Sequence, residues 1–166
     1  MIKLKTFGSF TVGNGLTSVQ EGAWRSEKLE KLFVYLAMNR NRGVCIEDIS
    51  EAIWQVEEET DNPVGALKNL AYRLRKALRD ASFGEECIVS VRGGLYKWND
   101  DVEVTIDVEE FDRYINEAEM AFCRSKETAI ESYEKAIALY HGDFLPLRTD
   151  THWFMTVSYT HLTLPT

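Results

Sequence analysis

Basic side chains are concentrated in one short stretch of an otherwise acidic chain. The 166 residues carry a formal charge of -8, yet residues 63–97 hold seven bases (Lys68, Arg73, Arg75, Lys76, Arg79, Arg92 and Lys97) against three acids. With residues placed at 100° intervals from Leu67, the side chains of Ala77, Leu70, Leu74, Leu67, Leu78 and Ala71 cover an arc from about 280° through 0° to 40°. Arg75, Lys68, Arg79, Tyr72, Lys76 and Asn69 fill about 80° to 200°, and Arg73 stands near 240° at the margin. A helix over residues 64–81 therefore has one face for a core and one that is basic, with an aromatic ring and an amide. Lys and Arg neutralise phosphates. Arg can also form paired hydrogen bonds to guanine and Asn to adenine, each good pair discriminating by roughly 1–3 kcal/mol. Such a face suits a DNA groove, with Asn69 early on the helix where base edges are usually met. The alternative is that these bases merely solubilise a surface helix, and the flanking elements argue against it.

Asn62 is a favoured N-cap, and Pro63 is preset for the first helical position, where its missing N–H is not needed. A shorter helix over residues 45–54, burying Ile46, Ile49, Ala52 and Ile53, precedes the acidic loop 55–61. After Phe83-Gly84, residues 87–91 and 95–98 read as strands around Arg92-Gly93-Gly94, whose glycines allow positive φ at a hairpin turn. A short helix, a loop, a basic helix and a glycine-tipped hairpin together make a winged helix-turn-helix. Arg92 at the wing tip can then reach a neighbouring minor groove or phosphate.

Upstream, Ile2, Leu4, Phe10 and Val12 alternate with polar residues, as in short antiparallel strands, and Asn14-Gly15 is the preferred dipeptide of a two-residue type I′ turn. Ser26 is expected to cap the next helix through its side chain, with Glu27 and Glu30 favourably placed against the helix dipole. Leu29, Leu32, Phe33 and Leu36 give that helix one apolar face, and it should end within residues 39–43.

Downstream, residues 101–135 hold eleven acids against four bases. The pattern there is helical: Val108, Phe111, Tyr114, Ile115 and Ala118 on one helix, then Ala129, Ile130, Tyr133, Ala136, Ile137 and Tyr140 on a second over residues 128–140, ended by His141-Gly142. Small and aromatic residues at these positions suit two antiparallel helices of a helical-repeat array, which needs further units to bury its faces. Periodicity is lost beyond Leu147, and residues 157–166 read as an unstructured or non-native tail. The expected division is residues 1–100 as a first domain and 101–156 as the start of a truncated helical one.

Enzymatic chemistry finds little support. There is no phosphate loop, HExxH or nucleophile elbow, and His141, His152 and His161 lie at a helix end or in the tail. Carboxylates such as Glu57-Glu58-Glu59 and Glu109-Glu110 sit on a loop and a helix start, where they are usually solvated. Cys45, Cys87 and Cys123 form no CxxC pair, so neither a disulfide framework nor a zinc site is written, and no metal or cofactor is expected. The N-terminus lacks a signal-peptide pattern and the Thr-rich C-terminal run is too polar to span a bilayer, which points to the cytoplasm.

The run Trp24-Arg25-Ser26-x-Lys28, then residues 32–37, then Glu51-Ala52-Ile53-Trp54, then Asn69-Leu70-x-x-Arg73-Leu74-Arg75-Lys76-Ala77-Leu78, resembles the OmpR/PhoB-type winged helix. Ile106-Asp107-Val108-x-x-Phe111 and Tyr140-His141-Gly142-Asp143-Phe144-Leu145 are similar to segments of the bacterial transcriptional activation domain (BTAD) that follows this winged helix in SARP-type transcriptional activators. The resemblance covers about residues 1–147 and implies an α+β fold: a small, four-stranded antiparallel sheet at the N-terminus, three helices, a wing, then tetratricopeptide-like helices. It also implies binding of repeated promoter sites in double-stranded DNA, commonly by two protomers, and contact with RNA polymerase. For the latter, Glu57, Glu58, Glu59 and Asp61 in the loop before the basic helix are the residues to expect. Cys45 stands where a Ser or Thr cap would be expected. The rival reading is a protein-interaction or signalling module that uses the acidic helical pair and does not bind DNA.

Overall fold

The computed structural model describes residues 1–54, 60–83, 86–146, 153–154 and 156–157. Strands β1 (Ile2–Lys5), β2 (Thr11–Gly13) and β3 (Ser18–Gln20) form an antiparallel meander, followed by helices α1 (Glu27–Met38), α2 (Ile46–Ile53) and α3 (Pro63–Asp80). A second sheet pairs β4 (Ile88–Val91) with β5 (Leu95–Trp98), and the chain continues through β6 (Val104–Ile106) into α4 (Asp107–Ala121) and α5 (Lys126–Leu139). The architecture is α+β, a winged helix followed by a helical hairpin.

The first sheet has four strands in the order β3-β2-β1-β6, so its fourth strand comes from beyond the wing. β6 runs parallel to β1, with Ile2 opposite Val104 and Leu4 opposite Ile106, and the sheet is therefore mixed where an antiparallel one was expected. A parallel pair needs a long crossover, and the three helices and the wing together supply it. The turn after β2 is also longer than the two-residue type I′ turn expected from Asn14-Gly15. Gly13 pairs with Ser18, and the Asn14 Oδ1 accepts from the backbone N–H of Leu16 (3.0 Å) and Thr17 (2.9 Å). An Asx-type cap has taken over the turn. Beyond its own strands, this hairpin receives the end of α3: the Thr17 hydroxyl donates to the Ala81 carbonyl at 3.0 Å.

Helix α1 is covered on nearly every side. Leu29, Leu32, Phe33 and Leu36 are buried as their spacing predicts, but so are Glu30, Lys31, Val34 and Tyr35. Phe33 packs edge-on against Phe10, Trp24 and Trp98 on the sheet side. The opposite side meets Trp153, 4.9 Å from Tyr35, and Phe154, whose ring lies 5.7 Å from Lys31 Nζ. Ser26 occupies the N-cap position, yet its side chain makes no capping bond; its backbone carbonyl accepts from Leu29 instead, and the Glu30 carboxylate reaches back to the N–H of Gly22 at 3.0 Å. Cys45 likewise provides no side-chain cap for α2.

The helical hairpin packs against β1 and β6. The Asp107 carboxylate, buried at the start of α4, accepts the backbone N–H of Thr6 (2.8 and 2.9 Å) and of Phe7 (3.0 Å) and the Thr6 hydroxyl (2.6 Å). Arg40, at the end of α1, makes a two-pronged pair with Glu109 at 2.7 Å on each side. Phe7 lies between Phe111 (5.4 Å) and Tyr140 (5.1 Å). After α5 the chain returns along residues 6–8, with Gly8 N–H donating to the Asp143 carbonyl and Leu145 N–H to that of Thr6, both at 2.8 Å. Gly8 adopts φ +77°, and a Cβ there would stand 2.5 Å from the His141 carbonyl oxygen, so glycine is required twice over. Within the hairpin, small residues (Ala118, Ala129, Ser132 and Ala136) are buried, whereas Ile130 and Ile137 are exposed.

Candidate nucleic-acid interface

Helix α3 starts as the Asn62-Pro63 pair predicts: the Asn62 side chain accepts from Gly65 N–H at 2.9 Å. Leu67, Leu70, Ala71, Leu74 and Leu78 are buried, fixing the helix's rotation against α1 and α2. That rotation sends Lys68, Asn69, Tyr72, Arg73, Lys76 and Arg79 into solvent. Among the described residues none of these six side chains makes an ion pair or hydrogen bond. Tyr72 is 60% exposed, a large apolar ring left uncovered among bases.

Arg75 behaves differently. Its side chain is 23% exposed and lies against β4: Nε donates to the Ile88 carbonyl and Nη2 to the Ser90 hydroxyl, each at 3.2 Å, while Nε stands 2.9 Å from Glu86 Oε1. At about 80° on the helical wheel it borders the apolar arc, which ends at about 40° with Ala71.

The wing is the β4–β5 hairpin. Val91 pairs with Leu95, leaving Arg92-Gly93-Gly94 as the turn, and Gly93 and Gly94 adopt φ +87° and +73°. Arg92 is exposed and without a partner among the described residues. Val44, after α1, exchanges backbone hydrogen bonds with Tyr96 (2.7 and 2.9 Å), which fastens β5 to the α1–α2 turn. Ile88, Tyr96 and Trp98 are buried beneath the hairpin. Lys97, the remaining base of the segment, is 2.5 Å from Asp100 and thus already neutralised.

The chain thus sets a helix with an unpartnered basic face beside a hairpin with an arginine at its turn, both fixed to one core. Residues 21–98 match the family described as transcriptional regulatory protein, C terminal. The matched segment runs from the turn before α1 to the last residue of the wing, so it contains the whole candidate interface. That family description is of regulators, not of an enzyme. No curated protein matches the chain. A solved structure, Mycobacterium tuberculosis EmbR in complex with a low-affinity phosphopeptide, is similar with a TM-score of 0.77 and 18% identity, covering 97% of this chain and 41% of that one. This likeness is one of fold, and it extends through the helical hairpin as well as the winged helix. The chain spans well under half the length of that protein.

Of the residues singled out for polymerase contact, Asp61 is exposed at the end of the α2–α3 loop, and Glu57, Glu58 and Glu59 lie outside the described residues. Two sets of contacts had no clear signal in the sequence: the ties from Arg75 to β4, and the carboxylate clasp from Asp107 to Thr6 and Phe7. Among the described residues there is no cluster of His, Cys, Asp and Glu able to hold a metal ion, and no helix long and apolar enough to cross a membrane.

Proposed function

We propose that this chain is a sequence-specific DNA-binding transcriptional regulator of the SARP type, reading promoter repeats with α3 in the major groove and the wing alongside. The observation that carries this is the exposure, on one helical face, of Lys68, Asn69, Tyr72, Arg73, Lys76 and Arg79 with no intramolecular partner. Long charged side chains left free at neutral pH are suited to phosphates, and Asn69 and Arg73 to base edges. Arg92 supplies a contact from the wing. Residues 1–100 form the DNA-reading domain and residues 101–156 the start of a BTAD, with two protomers on repeated half-sites and the α2–α3 loop, including Asp61, facing RNA polymerase.

Fluorescence anisotropy with duplexes from upstream of the neighbouring genes, a competitor duplex and two salt concentrations tests the reading. Phosphate neutralisation makes the logarithm of affinity fall linearly with the logarithm of salt, with a slope of about 0.9 per contact. Lys76→Ala with Arg79→Ala is expected to remove specific binding and leave the fold intact. Arg92→Ala should weaken binding with unchanged base preference. Full promoter affinity in the folded double variant refutes the assignment of α3. The alternative, a protein-interaction module built on the acidic helical pair, draws support from the exposure of Ile130 and Ile137 on α5; it predicts no duplex binding at either salt concentration.

A further inference from the structure

The geometry points to Arg75 as a positioning residue that sets the wing against α3, and not as one of the bases that meet DNA. This inference rests on the proposal that α3 and the wing act together on a duplex.

Among the described residues β4 has a strand partner only on its β5 side, so the backbone groups of its other edge face away from the hairpin. Arg75 occupies that edge. Its Nε donates to the Ile88 carbonyl and its Nη2 to the Ser90 hydroxyl, so one planar guanidinium spans two positions along the strand, and Glu86 pairs with it from the segment entering β4. β5 is held independently by the Val44–Tyr96 bridge. Among the described residues the wing therefore has two lateral ties, one to the α1–α2 turn and one to the helix that carries the basic face. The second is made by a single side chain. A guanidinium serves these two acceptors from two nitrogens of one rigid plane, whereas an ammonium donates from a single nitrogen on a flexible stem, so Lys at this position keeps the charge but not the geometry. Among the described residues the other bases of α3 have no such tie, and they are exposed to solvent.

Backbone hydrogen exchange of the DNA-free protein, measured over β4 and β5, tests the tie itself. Arg75→Lys is expected to speed exchange there roughly tenfold while α1 and α3 stay protected. Ser90→Ala, which leaves the basic face untouched, should produce a smaller change in the same amides. Binding of a promoter duplex then tests the positioning role through a double-mutant cycle. Arg75→Lys should lose roughly five- to tenfold in affinity in the wild-type background, and less than about twofold when Arg92 is already Ala, because the wing contact it positions is gone. Two results overturn the inference: unchanged wing exchange in Arg75→Lys, or affinity losses for Arg75→Lys and Arg92→Ala that multiply as independent contacts do. A wild-type chain that binds no duplex at all refutes the DNA-reading proposal, and with it the positioning role, whatever the exchange experiment shows about the tie.

Discussion

Replacing Asp107 by Asn removes a charge and swaps one carboxylate oxygen for an amide nitrogen, leaving shape and volume almost unchanged. In the native protein the two oxygens accept from three backbone N–H groups, those of Thr6, Phe7 and Val108, and from the Thr6 hydroxyl. An Asn whose oxygen takes the Oδ1 position keeps Thr6 and Val108 as donors, but its NH₂ then faces the Phe7 N–H, donor against donor. The buried Phe7 amide loses a charge-assisted bond, a loss of about 1.5–3 kcal/mol. The missing negative charge in the first turn of α4 removes a further ~0.5 kcal/mol of dipole interaction. The expected destabilisation is thus about 2–3.5 kcal/mol, which for a chain of this size lowers Tm by roughly 5–12 °C. Thermal unfolding by calorimetry, with urea melts for the free-energy difference, measures it. Thr6→Val is the companion: it removes only the hydroxyl donor and should cost about 1 kcal/mol. A change below about 0.5 kcal/mol for Asp107→Asn refutes the view that this carboxylate fastens the hairpin to the sheet.

Gly8→Ala should cost several times more than Gly15→Ala, because both have positive φ but only Gly8 would drive a Cβ to 2.5 Å from a backbone carbonyl; denaturant melts of the two variants that coincide exclude a tight approach of residues 8 and 141. Asn62→Ala should lose about 1 kcal/mol and Ser26→Ala almost nothing, since only the Asn62 side chain caps its helix; equal losses by the same melts contradict that assignment. Burial raises the pKa of Tyr35, with smaller effects from Arg42, Asp48 and Cys45. The folded state therefore holds the phenolic proton after the unfolded state has released it. Stability should fall as pH climbs past the ordinary phenol value of about 10, a fall that levels off only above the folded pKa. Tyr35→Phe should flatten that decline in stability curves taken between pH 8 and 11, and an unchanged slope refutes the contribution of Tyr35.

The basic helix could be placed from the sequence because everything that defines it is local. Its cap, Asn62, is three residues from the N–H that donates to it, its periodicity is internal, and the apolar arc that must be buried dictates which residues face outward. The wing was equally plain, since a Gly-Gly turn between two short apolar runs admits few conformations. What escaped was set by partners distant in the chain. Asp107 is one acid among the eleven of residues 101–135, and nothing local distinguishes it from Glu109 or Glu110. Its role depends on Thr6, about a hundred residues earlier. The parallel pairing of β6 to β1 is of the same kind, for a three-residue strand carries too little pattern to show which edge it will join. Lys31 falls outside the apolar stripe of α1 and reads as a surface residue, yet Phe154 covers it. Ser26 makes no side-chain cap, and no capping box is available to it because the N3 position holds Leu29; Glu30, one residue later, accepts from the N–H of Gly22.

Arg75 shows how these two kinds of information combine. On the helical wheel it belongs with the basic face, and a count of charges makes it one more phosphate ligand. Its 80° position, however, lies about 40° from Ala71, and a long side chain at such a border can run along the protein surface as easily as into solvent. The uncommitted edge of β4 decides the outcome, because a buried or half-buried carbonyl without a strand partner gains from a charged donor. A reading of the interface that weighs all seven bases of residues 63–97 alike therefore overstates it. Lys97 is neutralised by Asp100, and Arg75 is bonded to the wing. Five bases remain free to act at a distance, four on α3 and one at the wing tip. If each neutralises one phosphate, the salt slope of a single protomer should be about 4 to 5, not above 6. A measured slope of about 5.4 per protomer means that Arg75 or Lys97 leaves its internal partner on binding, two cases that the Arg75→Lys cycle separates, and a slope of about 6.3 means that both do.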